Sequence, residues 1–203
     1  MAYEAAIQHL RTDPVIENLI NTLPPIIPHP EPDFYHTLLR SVVGQQLSVK
    51  AAATIFQRFL NLFPTQYPHP EEVLLQPTEI LRSVGLSGQK AGYVRAVAEF
   101  KQSGELEPEV IAHLEDEDLI KHLTKIKGVG RWTAEMLLMF ALERPDVFPA
   151  DDLGIQNAMK KQYGLTEEKK ALRTRMFEIA ENWKPYRTLA CKYLWKSLDN
   201  MPG

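Results

Sequence analysis

Between Trp132 and Leu142 only Thr133 and Glu135 are polar, so a helix over this stretch is apolar on nearly every side and must be buried on most of them. Such a helix is central, and the rest of the chain has to be built around it. Just upstream stands Gly128-Val129-Gly130. The two glycines let the backbone turn tightly and approach a partner closely. The positive dipole end of the helix lies behind them. Before the glycines, Leu119, Leu123 and Ile126 fall at i, i+4 and i+7, which predicts a first short helix packing its apolar face on the second. The unit reads helix, hairpin, helix, over about residues 117–142, and the chain after it runs into Asp151-Asp152.

The remaining chain repeats helical periodicity punctuated by proline, without sustained period-two alternation, which predicts an all-α fold. Helices are expected over Tyr3–Arg11 and from the Asp13-Pro14 cap to near Leu23. The proline-rich residues 24–33 read as an extended connection. Asp33 can cap a helix with Phe34, Leu38, Leu39, Val42 and Val43 on its apolar face. A break follows at Gly44-Gln45-Gln46-Leu47-Ser48, with Ser48 capping a helix to about Phe63. Short helices are expected at 71–76 and 79–84, a longer one through Lys90, Val94 and Phe100, and another short one from Pro108. After Asp152 come helices from Leu153 to about Tyr163, from Glu167 to Asn182 and from Pro185 to about Leu198. With 203 residues and no fixed repeat or obvious linker, a single domain over 1–203 is expected.

Charge and composition narrow the chemistry. The longest uninterrupted apolar run, Met136 to Leu142, is too short to span a bilayer, and the charged N-terminus lacks a signal-peptide core. The expected location is cytoplasmic or nucleoid-associated, nuclear in a eukaryote, and not secreted or inserted in a membrane. One cysteine, Cys191, excludes an intrachain disulfide and a four-cysteine cluster. His9, His29, His36, His69, His113 and His122 lack metal-ligand spacing, so no catalytic metal is assigned. The net charge of −3 means that any nucleic-acid contact must rest on a local patch.

That patch is the hairpin. Lys125, Lys127 and Arg131 surround Gly128, Val129 and Gly130, and backbone N–H groups at a glycine turn can cradle a phosphate. A G-x-G alone reads first as a plain tight turn between helices. The wider pattern, L-x-x-I-x-G-x-G-x-x-T-A followed by a loop and paired aspartates, resembles the helix–hairpin–helix DNA glycosylase superfamily. DFYHTLLRSVVGQQLSVKAA, GLSGQKAGYV and WKPYRTLACKYLW are similar to its alkylation-repair branch, the 3-methyladenine DNA glycosylase II (AlkA-like) group.

The resemblance implies a two-lobed all-α glycosylase domain, without an additional N-terminal β domain, whose lesion pocket lies between the lobes. It implies an enzyme acting as a monomer on double-stranded DNA with alkylated bases, flipping the damaged nucleotide out and cleaving its N-glycosidic bond. By an ungapped match Asp152 takes the catalytic position. A fixed carboxylate there stabilises the oxocarbenium-like charge that grows on the sugar as the base leaves. Either aspartate can also cap the helix from Leu153. Lyase members carry a lysine where this chain has Trp132, so the implied reaction is monofunctional and leaves an abasic site. Trp132 and Trp195 would wall the base pocket, where an electron-poor alkylated purine such as 3-methyladenine or 7-methylguanine stacks. Met136 and Leu153 stand where the group has aromatic pocket residues.

Lys125, Lys127, Gly128, Val129, Gly130, Arg131 and Thr133 would meet the DNA backbone. Gln45, Gln46 and Leu47 would form the minor-groove wedge, where the same match gives Gln46 as the plug with Leu47 next to it and leaves either to fill the gap, and the plainer reading is a solvated interhelical loop. Lys90 and Ser87 read either as phosphate contacts or as surface groups, and Arg187 either as a DNA contact or as a brace of the Asp152 loop or a neighbouring helix terminus. The hairpin would hold at most a monovalent cation, Na or K, through backbone carbonyls. The alternatives are a non-catalytic helix–hairpin–helix DNA-binding module and a glycosylase for ethenoadenine, hypoxanthine or oxidised bases.

Overall fold

The computed structural model describes residues 2–28, 31 and 33–198. His29, Pro30 and Pro32 of the proline-rich connection lie outside the described residues. Among the described residues every regular element is helical: α1 (Ala2–Leu10), α2 (Pro14–Thr22), α3 (Phe34–Gly44), α4 (Val49–Leu60), α5 (Pro70–Leu75), α6 (Thr78–Ser83), α7 (Gly88–Gln102), α8 (Pro108–His113), α9 (Asp116–Leu123), α10 (Arg131–Phe140), α11 (Leu153–Tyr163), α12 (Lys169–Ala180) and α13 (Arg187–Lys196). A 3-10 turn, Glu181–Trp183, precedes the last helix. None is long and apolar enough to cross a membrane. Side-chain caps set the starts: Asp13 accepts from Val15 and Ile16 N–H, Asp33 from His36, Ser48 from Ala51 and Ser87 from Lys90.

The chain forms two compact units, one of residues 1–30 with 138–203 and the other of residues 31–137. In the second unit α7 packs on α3, α5 and α6, and α3 also packs on α4. Leu38, Leu39, Val42, Val43, Phe59, Val73, Leu81, Val94 and Val97 form its core. The expected core residue Phe34 is only half-buried. Tyr35 takes the inward position instead, because its hydroxyl finds the Pro68 carbonyl at 2.9 Å.

In the first unit α13 packs on α2 and α11, and every residue from Ala190 to Trp195 is buried. One of these is Lys192, whose Nζ meets a Glu143 carboxylate oxygen at 2.8 Å and lies over the Phe140 ring. Asp13, besides capping α2, accepts from the Tyr163 hydroxyl and the Trp183 indole, each at 2.9 Å. Burial, with the Asp13 carboxylate beside it, pushes the Tyr163 hydroxyl well above its ordinary range. The apolar helix α10 contributes to both units, and Thr133 to Met139 are buried without interruption, as its composition requires. It ends at Phe140, short of the expected Leu142, where Glu143 takes φ 50° and the Arg144 N–H turns back to the Leu138 carbonyl.

Candidate active site

The carboxylate part of the site lies in the first unit, on the loop between α10 and α11. Proline, aspartate and small residues make this loop irregular, and α13 pins it. Arg187 forks onto Asp146, Nε to Oδ1 at 2.7 Å and Nη2 to Oδ2 at 2.9 Å, and Nη2 also donates to the Asp146 carbonyl. The Thr188 hydroxyl donates to the Arg144 carbonyl and accepts the Val147 N–H. Of the two readings for Arg187, the structure therefore gives the internal brace.

At the end of the loop Asp152 is 9% exposed and caps α11, its Oδ1 accepting the Ile155 N–H at 2.8 Å. The same oxygen accepts the Trp195 indole N–H, also at 2.8 Å. A buried carboxylate needs such donors to offset its lost hydration, and they hold it in one orientation. Asp151 is exposed and paired with Arg173, so the capping and the buried position both fall to Asp152 and are not shared between the two. Trp195 is 1% exposed, with the Phe140 ring 5.7 Å away. Leu153, the first residue of α11, is 72% exposed.

Gly154 went unnoticed in the sequence. A Cβ there would come within 2.9 Å of the Trp195 ring and 3.0 Å of Asp152 Oδ1. Its signal was a glycine inside a predicted helix, a placement that weakens the helix by about 1 kcal/mol and so calls for a packing reason.

The hairpin part lies in the second unit. Leu119, Leu123 and Ile126 are buried as the spacing predicts, and α10 starts at Arg131 with the positive end of its dipole at the second glycine. Gly128 has φ 95°, and a Cβ on it would fall 2.3 Å from the Tyr93 ring, so only glycine fits. Lys125 and Lys127 are exposed beside it, and Gly130 is open to solvent. Three expected DNA contacts are used differently. Val129 and Thr133 are buried, because the hairpin packs them inward. Arg131 is engaged by Glu117 and by Glu135, Nε to Oε1 at 2.9 Å, so its charge is compensated within the protein. Glu135, one of the two polar residues in the apolar helix, is buried for this pairing.

Trp132 is 44% exposed at the start of α10, whereas Met136 is 9% exposed and lies in the core. The wedge loop also divides. Gln45 points inward, donating to the Gly128 carbonyl at 2.9 Å. Gln46 is exposed at φ 58°, with Leu47 exposed beside it. Lys90 is not at the surface for phosphate, since its Nζ donates to the Val43 and Gln45 carbonyls at 2.8 and 2.6 Å. Ser87 is a helix cap. Among the described residues no three His, Cys, Asp or Glu side chains are grouped to hold a metal ion.

Comparison with known proteins identifies the family and the fold. A family model described as "HhH-GPD superfamily base excision DNA repair protein" matches residues 39–185. DNA-3-methyladenine glycosylase 1 of Schizosaccharomyces pombe is 42% identical, over 80% of this chain and 72% of its own length. A putative DNA-3-methyladenine glycosylase of Bacillus subtilis, YfjP, is 34% identical over 81% of this chain, which spans only 59% of that relative. Among solved structures, the S. pombe 3-methyladenine DNA glycosylase Mag1 in complex with abasic DNA superposes with a TM-score of 0.82 at 36% identity, covering 98% of this chain and all of that one. A DNA-3-methyladenine glycosidase from Bacillus halodurans gives 0.84 at 35% identity, with 93% and 86% coverage. The chain belongs to the HhH-GPD superfamily of base excision DNA repair proteins.

Proposed function

We propose that this protein is a monofunctional DNA glycosylase of base excision repair that removes alkylated purines, 3-methyladenine and 7-methylguanine among them, from duplex DNA. The observation that carries the chemistry is the Asp152 carboxylate, buried and fixed by the Ile155 and Trp195 N–H groups. A carboxylate already oriented in a poorly hydrated site needs no reorganisation when positive charge develops on the sugar. It can also orient the attacking water. Trp132, two residues after Gly130, offers a half-open aromatic face and no amine. An alkylated purine stacks on such a face, and without an amine there is no Schiff base with the sugar, so the strand is left whole. The relatives' names support the alkylpurine substrate.

Lys125, Lys127 and the Gly130 backbone grip a phosphate, and Gln46 with Leu47 enters the minor groove as the base leaves the stack. The hairpin offers only carbonyl oxygens to a cation, a donor set that suits Na or K. The Gly128 and Ile126 carbonyls each already accept one hydrogen bond, from Gln45 and from Val129, and keep a second lone pair. An ion held there would add positive charge beside the phosphate.

The test is release of bases from methylated duplex DNA, separated by chromatography, with wild type beside Asp152→Asn. Wild type should free 3-methyladenine or 7-methylguanine and leave the strand intact until alkali treatment. Asp152→Asn should slow release about a hundredfold to a thousandfold while duplex binding persists. Binding without release by wild type would instead identify a non-catalytic DNA-binding module, and strand cleavage without alkali would refute the monofunctional reading.

A further inference from the structure

We infer that Gln45 and Lys90 are positioning residues that lock the wedge loop to the phosphate-gripping hairpin, so that DNA backbone contact and wedge insertion act as one rigid body. The inference takes its meaning from the glycosylase reading above. Its geometry lies wholly within residues 31–137. Lys90 Nζ bridges the Val43 and Gln45 carbonyls at the end of α3, where a helix leaves carbonyls without intrahelical partners and favours positive charge. Gln45 then reaches from that loop to the Gly128 carbonyl at 2.9 Å and towards the Thr133 hydroxyl at 3.4 Å.

Three residues on from Lys90, and on the same face of α7, Tyr93 lies against Gly128 with its hydroxyl held by Gln89. One helix therefore fixes the loop through Lys90 and the hairpin through Tyr93, and Gln45 closes the circuit between them. The exposed tip shows what the circuit holds. Gln46 sits at φ 58°, a conformation that a non-glycine residue keeps only where its surroundings fix it. Partial burial also holds the Lys90 ammonium below its usual range.

The probe is a duplex carrying 2-aminopurine beside a synthetic abasic site, whose fluorescence rises when the stack opens around the wedge. Gln45→Met and Lys90→Met should each lower the unstacked fraction, and slow base release, about tenfold. Affinity for undamaged duplex should hold, because the hairpin lysines are untouched. The double variant should be no worse than either single one, and Lys90→Arg should restore function by keeping the donors. With Gln46→Ala and Leu47→Ala in place, Gln45→Met should have no further effect. Two results would overturn the lock. One is a loss of undamaged-duplex affinity in Lys90→Met with a salt slope shallower by about one, which would make Lys90 a phosphate contact. The other is losses that multiply in the wedge-less background. If wild type releases no alkylated base, the glycosylase reading fails, yet the unstacking signal still decides whether loop and hairpin are locked.

Discussion

A methyl group at position 154 would press on a ring that has nowhere to go, since Trp195 is 1% exposed. Two effects oppose each other in Gly154→Ala. Alanine favours the helix by about 1 kcal/mol, while overpacking a filled core costs about 1–3 kcal/mol. Overpacking should win, because the clash is with a ring and a carboxylate rather than with the flexible end of a side chain. The expected outcome is a lower melting temperature, a shift in tryptophan emission and slower base release as the Trp195 N–H leaves Asp152. A melt at or above wild type would show that the ring can move. At this scale a capping aspartate was legible, since a carboxylate before an amphipathic helix carries its own reason, but whether Asp151 or Asp152 caps was left to the structure. The Trp195 bond was not legible, because it joins residues 43 apart. Periodicity marks a tryptophan as buried and is silent on where its N–H goes.

At the scale of the element, the hairpin could be read from its glycines and flanking leucines, but its charge could not. Lys125, Lys127 and Arg131 looked alike in sequence, yet Arg131 is held by Glu117 from the preceding helix and by Glu135 one turn on. The Glu135 pair was open to reading from its i, i+4 spacing. The Glu117 pair depends on how the turn closes. Glu117→Gln should free part of the guanidinium for phosphate, tightening duplex binding severalfold and steepening its salt dependence by about one. Unchanged affinity and slope in a titration across salt would mean that Arg131 stays away from DNA. Acid should act in the same direction. The Arg131 hydrogen bond, opposed by desolvation and helped by the Arg131 and Lys121 charges, holds the Glu117 carboxyl below its ordinary range. With the folded value below the unfolded one, the pair is complete above the unfolded value and lost as pH falls through the folded one. The partners' side chains are 50% and 62% exposed, so little stability is involved, and binding is the readout that matters.

At the scale of the whole molecule, the all-helical fold was written in the chain's periodicity, while two lobes were expected only from the family resemblance and the residues belonging to each unit were not legible. Periodicity identifies helices one at a time, but the first unit is closed by pairs such as Asp13 with Tyr163 and with Trp183, 150 and 170 residues apart. The second unit is one continuous segment, 31–137, inserted in sequence between the two segments of the first. Loop closure over such distances is slow, and contacts within a continuous segment form sooner. In pulse-labelled refolding of the full chain, amides of α3 and α7 should gain protection before those of α2 and α13. Simultaneous protection would show a single cooperative event.

The nested arrangement also bears on synthesis. On the ribosome the hairpin emerges with its own core already complete, whereas the Asp152 loop waits for α13, whose Arg187 and Thr188 pin it, to be made and to find an N-terminal segment laid down long before. With the roles proposed above, a nascent chain acquires its means of holding DNA ahead of its means of cutting a base from it, and the carboxylate takes up its pose only once α13 has been made.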